Sequence, residues 1–113
     1  MSKKPIEYLK HIRDECSYLL SVITPDKTKV DFLADETLKR AAIRSLEIIG
    51  EATKRIPADF KVKYSSIEWK SMAGMRDRLI HDYMGVNYSI VWDVVKNKIP
   101  ELYKQIIEVT GKE

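Results

Sequence analysis

The residues of this chain that could carry out chemistry lie within one octet, Arg76 to Tyr83. The octet holds a guanidinium on Arg76, a carboxylate on Asp77, an imidazole on His81 and a phenol on Tyr83. On a helix that turns 100° per residue, Arg76 falls near the centre of an apolar arc, where a charge is costly unless it is paired or used. Tyr83 falls almost in line with Arg76, and His81 about 140° away at the edge of the arc. This arrangement predicts a site that handles a phosphate group.

The reaction that suits an arginine and a histidine without a metal ion is RNA transesterification. A base takes the proton of the 2′-hydroxyl, an acid protonates the leaving oxygen, and a cation stabilises the crowded phosphorane. Asp77 lies four residues before His81, on the same face of the predicted helix, and would orient the imidazole and support its protonated form. We therefore assign transition-state stabilisation to Arg76, proton transfer to His81 and a positioning role to Asp77. DNA lacks the 2′-hydroxyl, so we expect that it is not cleaved.

Each of these residues also fits a purely structural role. Arg76 could be a structural cation paired with a buried carboxylate, which Glu51 at the border of an apolar helix face could supply. His81 could be a hydrogen-bonded core residue, and Tyr83 an aromatic core residue with a solvated hydroxyl. Side chains 140° apart on one helix do not easily converge on one atom, whereas a two-fold partner brings a second set across a groove. The octet therefore predicts a homodimer whose paired octets line a cleft.

Composition predicts one soluble domain spanning residues 1–113. The chain is long enough for a single core, and its 20 Lys and Arg against 17 Asp and Glu give a net charge of +3, which allows RNA contact without requiring it. The lone Cys16 excludes an intrachain disulfide, and its helical spacing with Ile12 and Leu19 predicts a small buried hydrophobe. With no signal peptide and no membrane-length apolar run, we expect a cytoplasmic protein that does not contact a membrane.

We expect neither a metal ion nor a cofactor. His11 and His81 belong to different predicted helices, and no cysteine cluster or closely spaced histidine pair accompanies them. The chain also lacks a glycine-rich phosphate loop and a nucleotide-binding fingerprint.

The apolar periodicity predicts an all-α fold, because no alternating run is long enough for a confident strand. The first helix starts at Pro5 and stops near Thr24-Pro25, and the second runs from a cap at Asp35 to the residue before Pro57. Residues 57–64 form a polar connector. The predicted third helix is capped by Ser65 or Ser66, carries the octet and ends at Gly85, the fourth starts at Asn87, and Pro100 kinks it or begins a fifth. Four or five antiparallel helices predict an up-and-down bundle.

The spacing of Arg76, Asp77, His81 and Tyr83 resembles the motif of the HEPN superfamily, and more closely that of the HepT toxins of the MntA/HepT (minimal nucleotidyltransferase plus HEPN) toxin–antitoxin systems. The resemblance covers essentially the whole chain. Its flanking segments are Ile49-Gly50-Glu51-Ala52, Trp69, Gly74-Met75, Val91-Trp92 and Ile99-Pro100. At position 77, where close relatives often carry asparagine, this chain has an aspartate.

This resemblance implies a homodimeric helical bundle whose facing Arg76 and His81 pairs form a metal-independent endoribonuclease site. It also implies a toxin restrained by a nucleotidyltransferase antitoxin, which transfers AMP from ATP to Tyr83. A bulky anionic adduct beside Arg76 would occupy the place of an RNA phosphate.

Two other functions fit the same residues. The chain could be a non-catalytic nucleotide- or partner-binding subunit of a nucleotidyltransferase complex, with Tyr83 as acceptor and Arg76 as phosphate anchor. It could also be a structural dimerisation bundle in which the octet forms a buried polar network.

Overall fold

A computed structural model describes the backbone of residues 4–82 and 85–113. Within these ranges it describes every side chain except those of Arg76, Ile80, His81 and Asp82. Tyr83, the predicted site of AMP transfer, lies outside the described residues.

The described part of the chain is predominantly helical, which confirms the predicted all-α class. Its elements are α1 (Pro5–Val22), α2 (Lys29–Ala34), α3 (Glu36–Lys54), α4 (Ala58–Lys63), α5 (Trp69–Ala73), α6 (Met75–Leu79), β1 (Ile80–Asp82), β2 (Gly85–Val86), α7 (Tyr88–Asn97) and α8 (Ile99–Lys112). The two short strands pair antiparallel, with Ile80 opposite Val86 and Asp82 opposite Gly85. The predicted homodimer stays a prediction.

Local signals set the starts of the long helices as predicted. Pro5 occupies the first turn of α1, where a missing N–H costs nothing. The Asp35 carboxylate accepts a hydrogen bond from the Leu38 N–H at 2.9 Å and caps α3. The Asn87 side-chain oxygen accepts one from the Ile90 N–H at 3.2 Å and caps α7. At the far end of the chain, α8 begins at Ile99, so Pro100 starts a separate helix.

The core lies where α3 packs between α1 and the short helices α5 and α6, while α8 packs on α1 and α7. A Cβ atom at position 50 would lie 3.3 Å from the Met72 carbonyl oxygen, so Gly50 allows α3 and α5 to approach closely. Cys16 is fully buried in this core, as predicted. Burial, reinforced by the Glu15 carboxylate, raises the pKa of the Cys16 thiol to about 12. The thiol is therefore protonated and unreactive at neutral pH.

The prediction of one helix from Ser65 or Ser66 to Gly85 is wrong. The helical segment divides at Gly74 into α5 and α6 and ends at Leu79, after which the chain forms the β1–β2 hairpin. The Leu79 carbonyl accepts a hydrogen bond from the Asn87 N–H at 3.2 Å, a donor from beyond the hairpin. The β-branched residues Ile80 and Val86 also favour extended backbone. The octet is therefore part helix and part strand, so the 140° angle drawn from a single helix does not apply.

The predicted number of helices was also too small. The described residues contain eight helices, because α4 lies in the segment predicted to be a polar connector and α2 lies in the unassigned stretch between the first two predicted helices. In α2 the single fully buried side chain is Phe32, which packs against Trp92 with ring centroids 5.5 Å apart. In α4 no residue is buried. A helix with one buried residue or none leaves no apolar period in the sequence. In addition, α3 ends at Lys54, two residues earlier than predicted.

None of the helices in the described ranges has the length and apolarity that crossing a membrane requires.

Candidate functional site

The predicted catalytic residues lie on either side of the junction between α6 and β1. Arg76 and Asp77 belong to α6, and His81 is the central residue of β1. The structure thus places them on two different elements, a helix and the strand that directly follows it. Because the side chains of Arg76 and His81 and the whole of Tyr83 lie outside the described part of the chain, their convergence stays a prediction.

Two buried residues fix the orientation of α6. Met75 and Leu79, four residues apart, are 5% and 1% exposed and belong to the core, as the predicted apolar arc requires. Asp77 and Arg78 are exposed on the same helix. The helix is therefore held by its apolar side, with polar side chains left in contact with water.

In the structure Asp77 and His81 do not lie on one helix. Asp77 and His81 were expected to share one face of a continuous helix, but the helix ends at Leu79, between them. A positioning role for Asp77 now depends on how the backbone turns at the α6–β1 junction, and it remains a proposal. Sequence reasoning missed the contribution of Asn87, whose backbone joins the end of α6 and whose side chain caps α7. Its helix-cap signal gave no indication of the contact with Leu79.

The carboxylate proposed as a buried partner for Arg76 is not buried. The Glu51 side chain is 56% exposed and forms an ion pair with Lys54 on its own helix, with 3.8 Å between the charged atoms. An exposed pair of this kind contributes little to stability. Glu51 is therefore not the buried carboxylate that a structural role of Arg76 would need.

A groove of about 580 Å³ lies beside α6, between α5–α6 and α7–α8. Its charged lining residues are Glu68, Arg78, Asp93, Lys98 and Glu101. Polar contacts cross it at one side, where the Gln105 side-chain N–H donates to the Ser66 carbonyl at 3.3 Å and Lys98 Nζ lies 4.0 Å from Glu68 Oε2. With three carboxylates and two cations, this groove does not favour a polyanion.

A second, shallower recess of about 470 Å³ lies on the other side of the 66–71 segment, and we call it the lysine recess. It is lined by Lys61, Val62, Ser65, Ile67, Glu68, Trp69, Lys70 and Ser71. The Trp69 indole holds its two sides together, because its N–H donates to the Lys61 carbonyl at 3.1 Å and to the Tyr64 carbonyl at 3.0 Å. The Lys61 carbonyl lies in the last turn of α4, where no continuing helix supplies a donor, and the Tyr64 carbonyl just beyond it also accepts a hydrogen bond from the Ile67 N–H at 3.2 Å.

Replacing Trp69 by phenylalanine should lower the free energy of unfolding by about 1–3 kcal/mol, because it keeps a buried ring but removes the indole N–H that both carbonyls accept, and the Tyr64 carbonyl alone keeps another donor, the Ile67 N–H. Urea denaturation measures the effect. The control is Trp92→Phe, since the Trp92 indole N–H forms no hydrogen bond among the described residues. Equal losses of stability in the two variants would show that the smaller ring, not the missing hydrogen bonds, explains the change.

Among the residues with described side chains, no group of three or more His, Cys, Asp or Glu could hold a metal ion. Cleavage measured in excess chelator therefore tests whether a reaction of this chain needs a metal ion.

Comparison with known proteins identifies a family that spans the fold. Residues 6–109 match the family described as Ribonuclease HepT-like. A protein of Caldanaerobacter subterraneus subsp. tengcongensis, named as a candidate RNase, is 50% identical over 111 residues, which cover 98% of each chain. The "Probable ribonuclease HepT" of Thermococcus cleftensis is 45% identical over 102 residues, 90% of this chain and 92% of that protein.

A third relative, a candidate RNase of Methanocaldococcus jannaschii, is 52% identical over 86 residues, 76% of this chain and 71% of that protein. No solved structure is significantly similar to this chain.

Proposed function

This chain belongs to the HepT-like ribonuclease family, as its motif suggested, and we propose that it is the toxin of a toxin–antitoxin system that cleaves RNA internally without a metal ion. The observation that carries this proposal is the family match over residues 6–109, which includes the whole octet from Arg76 to Tyr83. The names of the relatives support the ribonuclease role in the same way.

In the proposed reaction, the 2′-hydroxyl oxygen attacks the adjacent phosphorus and the bond to the 5′-oxygen breaks. The products are a 2′,3′-cyclic phosphate and a free 5′-hydroxyl. His81 transfers protons, taking one from the 2′-hydroxyl or giving one to the 5′-oxygen. Arg76 stabilises the negative charge of the phosphorane, and Asp77 positions His81.

A homodimer is part of this proposal. The chain supplies one imidazole at the octet, whereas the reaction uses a base and an acid at the same time. Two copies related by a two-fold axis would bring two octets to one cleft, so that one His81 acts as base and the other as acid. In this arrangement the α6–β1 junction, which carries Arg76 and His81, would lie at the interface.

We also propose that a cognate nucleotidyltransferase is the antitoxin. The phenol oxygen of Tyr83 would attack the α-phosphorus of ATP, forming a phosphodiester to AMP, while pyrophosphate leaves and the phenol proton passes to solvent. Tyr83 lies two residues after His81, so the anionic adduct would stand beside the cleavage site. There it would exclude the RNA phosphate by charge and by volume.

A cleavage assay tests the ribonuclease proposal directly. The purified protein, incubated with end-labelled RNA and excess chelator, should give fragments with 2′,3′-cyclic phosphate ends. DNA of the same sequence and RNA with 2′-O-methyl groups should remain intact, since neither offers the attacking hydroxyl. A requirement for an added divalent cation, or fragments ending in 3′-hydroxyls, would contradict the mechanism. Absence of cleavage would favour the non-catalytic, nucleotide- or partner-binding alternative.

A further inference from the structure

Of the groove and the lysine recess, the recess has the chemistry that better suits a phosphate. Lys61 and Lys70 contribute two ammonium groups, and Ser65 and Ser71 contribute two hydroxyls that can donate hydrogen bonds. Neither lysine forms an ion pair with any of the described side chains, so both charges are available to a ligand.

The charge balance distinguishes this recess from the larger groove. The one carboxylate that lines the recess, Glu68, also lines the groove and lies 4.0 Å from Lys98, which offsets its charge. The groove itself carries Asp93 and Glu101 in addition. A strand of phosphates is therefore attracted to the recess and not to the groove.

Trp69 holds the recess in shape before any ligand binds. Its ring is 7% exposed, and its N–H bridges the carbonyls of Lys61 and Tyr64, which fixes the end of α4 against the start of α5. The backbones that carry Lys61 and Lys70 are thus held together although nine residues separate them. A ligand that uses both lysines gains from this arrangement because less ordering is needed on binding.

The recess also lies close to the proposed cleavage site along the chain. Lys70 precedes Arg76 by six residues, and α5 and α6 are separated only by Gly74. Six residues of extended chain span at most about 20 Å, which is the upper limit on the distance between the two backbones.

We propose that the lysine recess binds a phosphate of the RNA strand other than the one that is cleaved, with Lys61 and Lys70 pairing with its charge and Ser65 and Ser71 donating to its oxygens. This inference rests on the proposed ribonuclease function and adds a binding site outside the octet. Lys61 and Lys70 are positioning residues here: they hold the strand, and the octet acts on the scissile phosphate.

The test compares a substrate that can reach the recess with one that cannot. The double variant Lys61→Gln, Lys70→Gln should lower kcat/KM for a twelve-nucleotide RNA about 10-fold. It should leave kcat/KM for a dinucleotide, which has one phosphate, unchanged. The slope of log K against log salt should become shallower by about 0.7, because the variant neutralises one phosphate fewer. The matched control is Lys10→Gln, Lys104→Gln, which removes the same charge from exposed positions on α1 and α8.

Binding of a non-cleavable 2′-O-methyl twelve-nucleotide RNA separates the two ways of failing. Suppose that the wild type cleaves the dinucleotide, and that the recess variant binds and cleaves the long RNA as well as the control variant does. The recess proposal is then overturned and the ribonuclease proposal stands. If the wild type cleaves neither substrate, the ribonuclease proposal fails. The recess proposal is then tested by binding of the 2′-O-methyl RNA alone. It is overturned as well if the wild type does not bind this RNA, or if the wild type and the recess variant bind it equally.

Discussion

Replacing His81 by alanine is expected to lower the rate of RNA cleavage about 10²–10⁴-fold, the effect that removal of a general acid or base produces. Replacing Arg76 by glutamine should lower it about 10²–10³-fold, since the developing charge no longer has its cationic donor. Initial rates on labelled RNA in excess chelator measure both effects. If the wild-type chain acts as a toxin, as proposed, its expression in cells should arrest growth, and expression of either variant should not.

The matched control for Arg76 is Arg78→Gln. Arg78 lies two residues further along α6, is exposed, and loses the same charge when replaced. We expect its cleavage rate to stay within about threefold of the wild type, because the proposed mechanism gives Arg78 no contact with the reacting phosphate. Equal reductions in rate in the Arg76 and Arg78 variants would remove Arg76 from the mechanism and leave a general effect of charge.

Thermal or urea denaturation of the same variants tests the structural alternative. If the octet were a buried polar network, Arg76→Gln would lower the free energy of unfolding by about 3–5 kcal/mol, the cost of a broken buried ion pair. The catalytic proposal expects a small change in stability together with a large reduction in rate. A large drop in stability in the Arg76 variant would therefore favour the dimerisation bundle.

Replacing Tyr83 by phenylalanine should abolish AMP transfer to the toxin, because the phenol oxygen that attacks ATP is absent. With ATP labelled at the α-phosphorus and the cognate nucleotidyltransferase, the wild type should take up label and lose its cleavage activity. The Tyr83 variant should take up none and, if it cleaves RNA, should continue to do so. In cells, co-expression of the antitoxin should no longer relieve growth arrest.

Tyr88→Phe serves as the control for this experiment. Tyr88 lies five residues after Tyr83 at the start of α7, with Lys39 Nζ 4.8 Å from its ring centre. The Tyr88 variant should be labelled and silenced like the wild type. If the Tyr83 variant is labelled and the Tyr88 variant is not, Tyr88 is the residue that accepts AMP. If both variants are labelled, the assignment of AMP transfer to Tyr83 is rejected.

The starts of the long helices and the apolar faces that form the core could be predicted from the sequence. Pro5, Asp35 and Asn87 act through neighbours within three residues, so their local sequence is sufficient. The burial of Cys16 follows from its place in a long apolar period, where a helix of 18 residues gives several repeats. The motif from Arg76 to Tyr83, with its flanks, also indicated the family that the comparisons show.

Contacts between distant segments decided the rest. The break after Leu79 depends on a hydrogen bond from Asn87, eight residues away, and no helical period in the sequence contains that information. The helix α2 depends on Phe32 meeting Trp92, and the lysine recess depends on the Trp69 indole reaching back to the end of α4. The chemical groups of the octet could be predicted from the sequence, because the type of each residue does not depend on the fold. Only the tertiary structure divided them between a helix and a strand, because hydrogen bonding across the hairpin prevailed over the helical tendency of the octet.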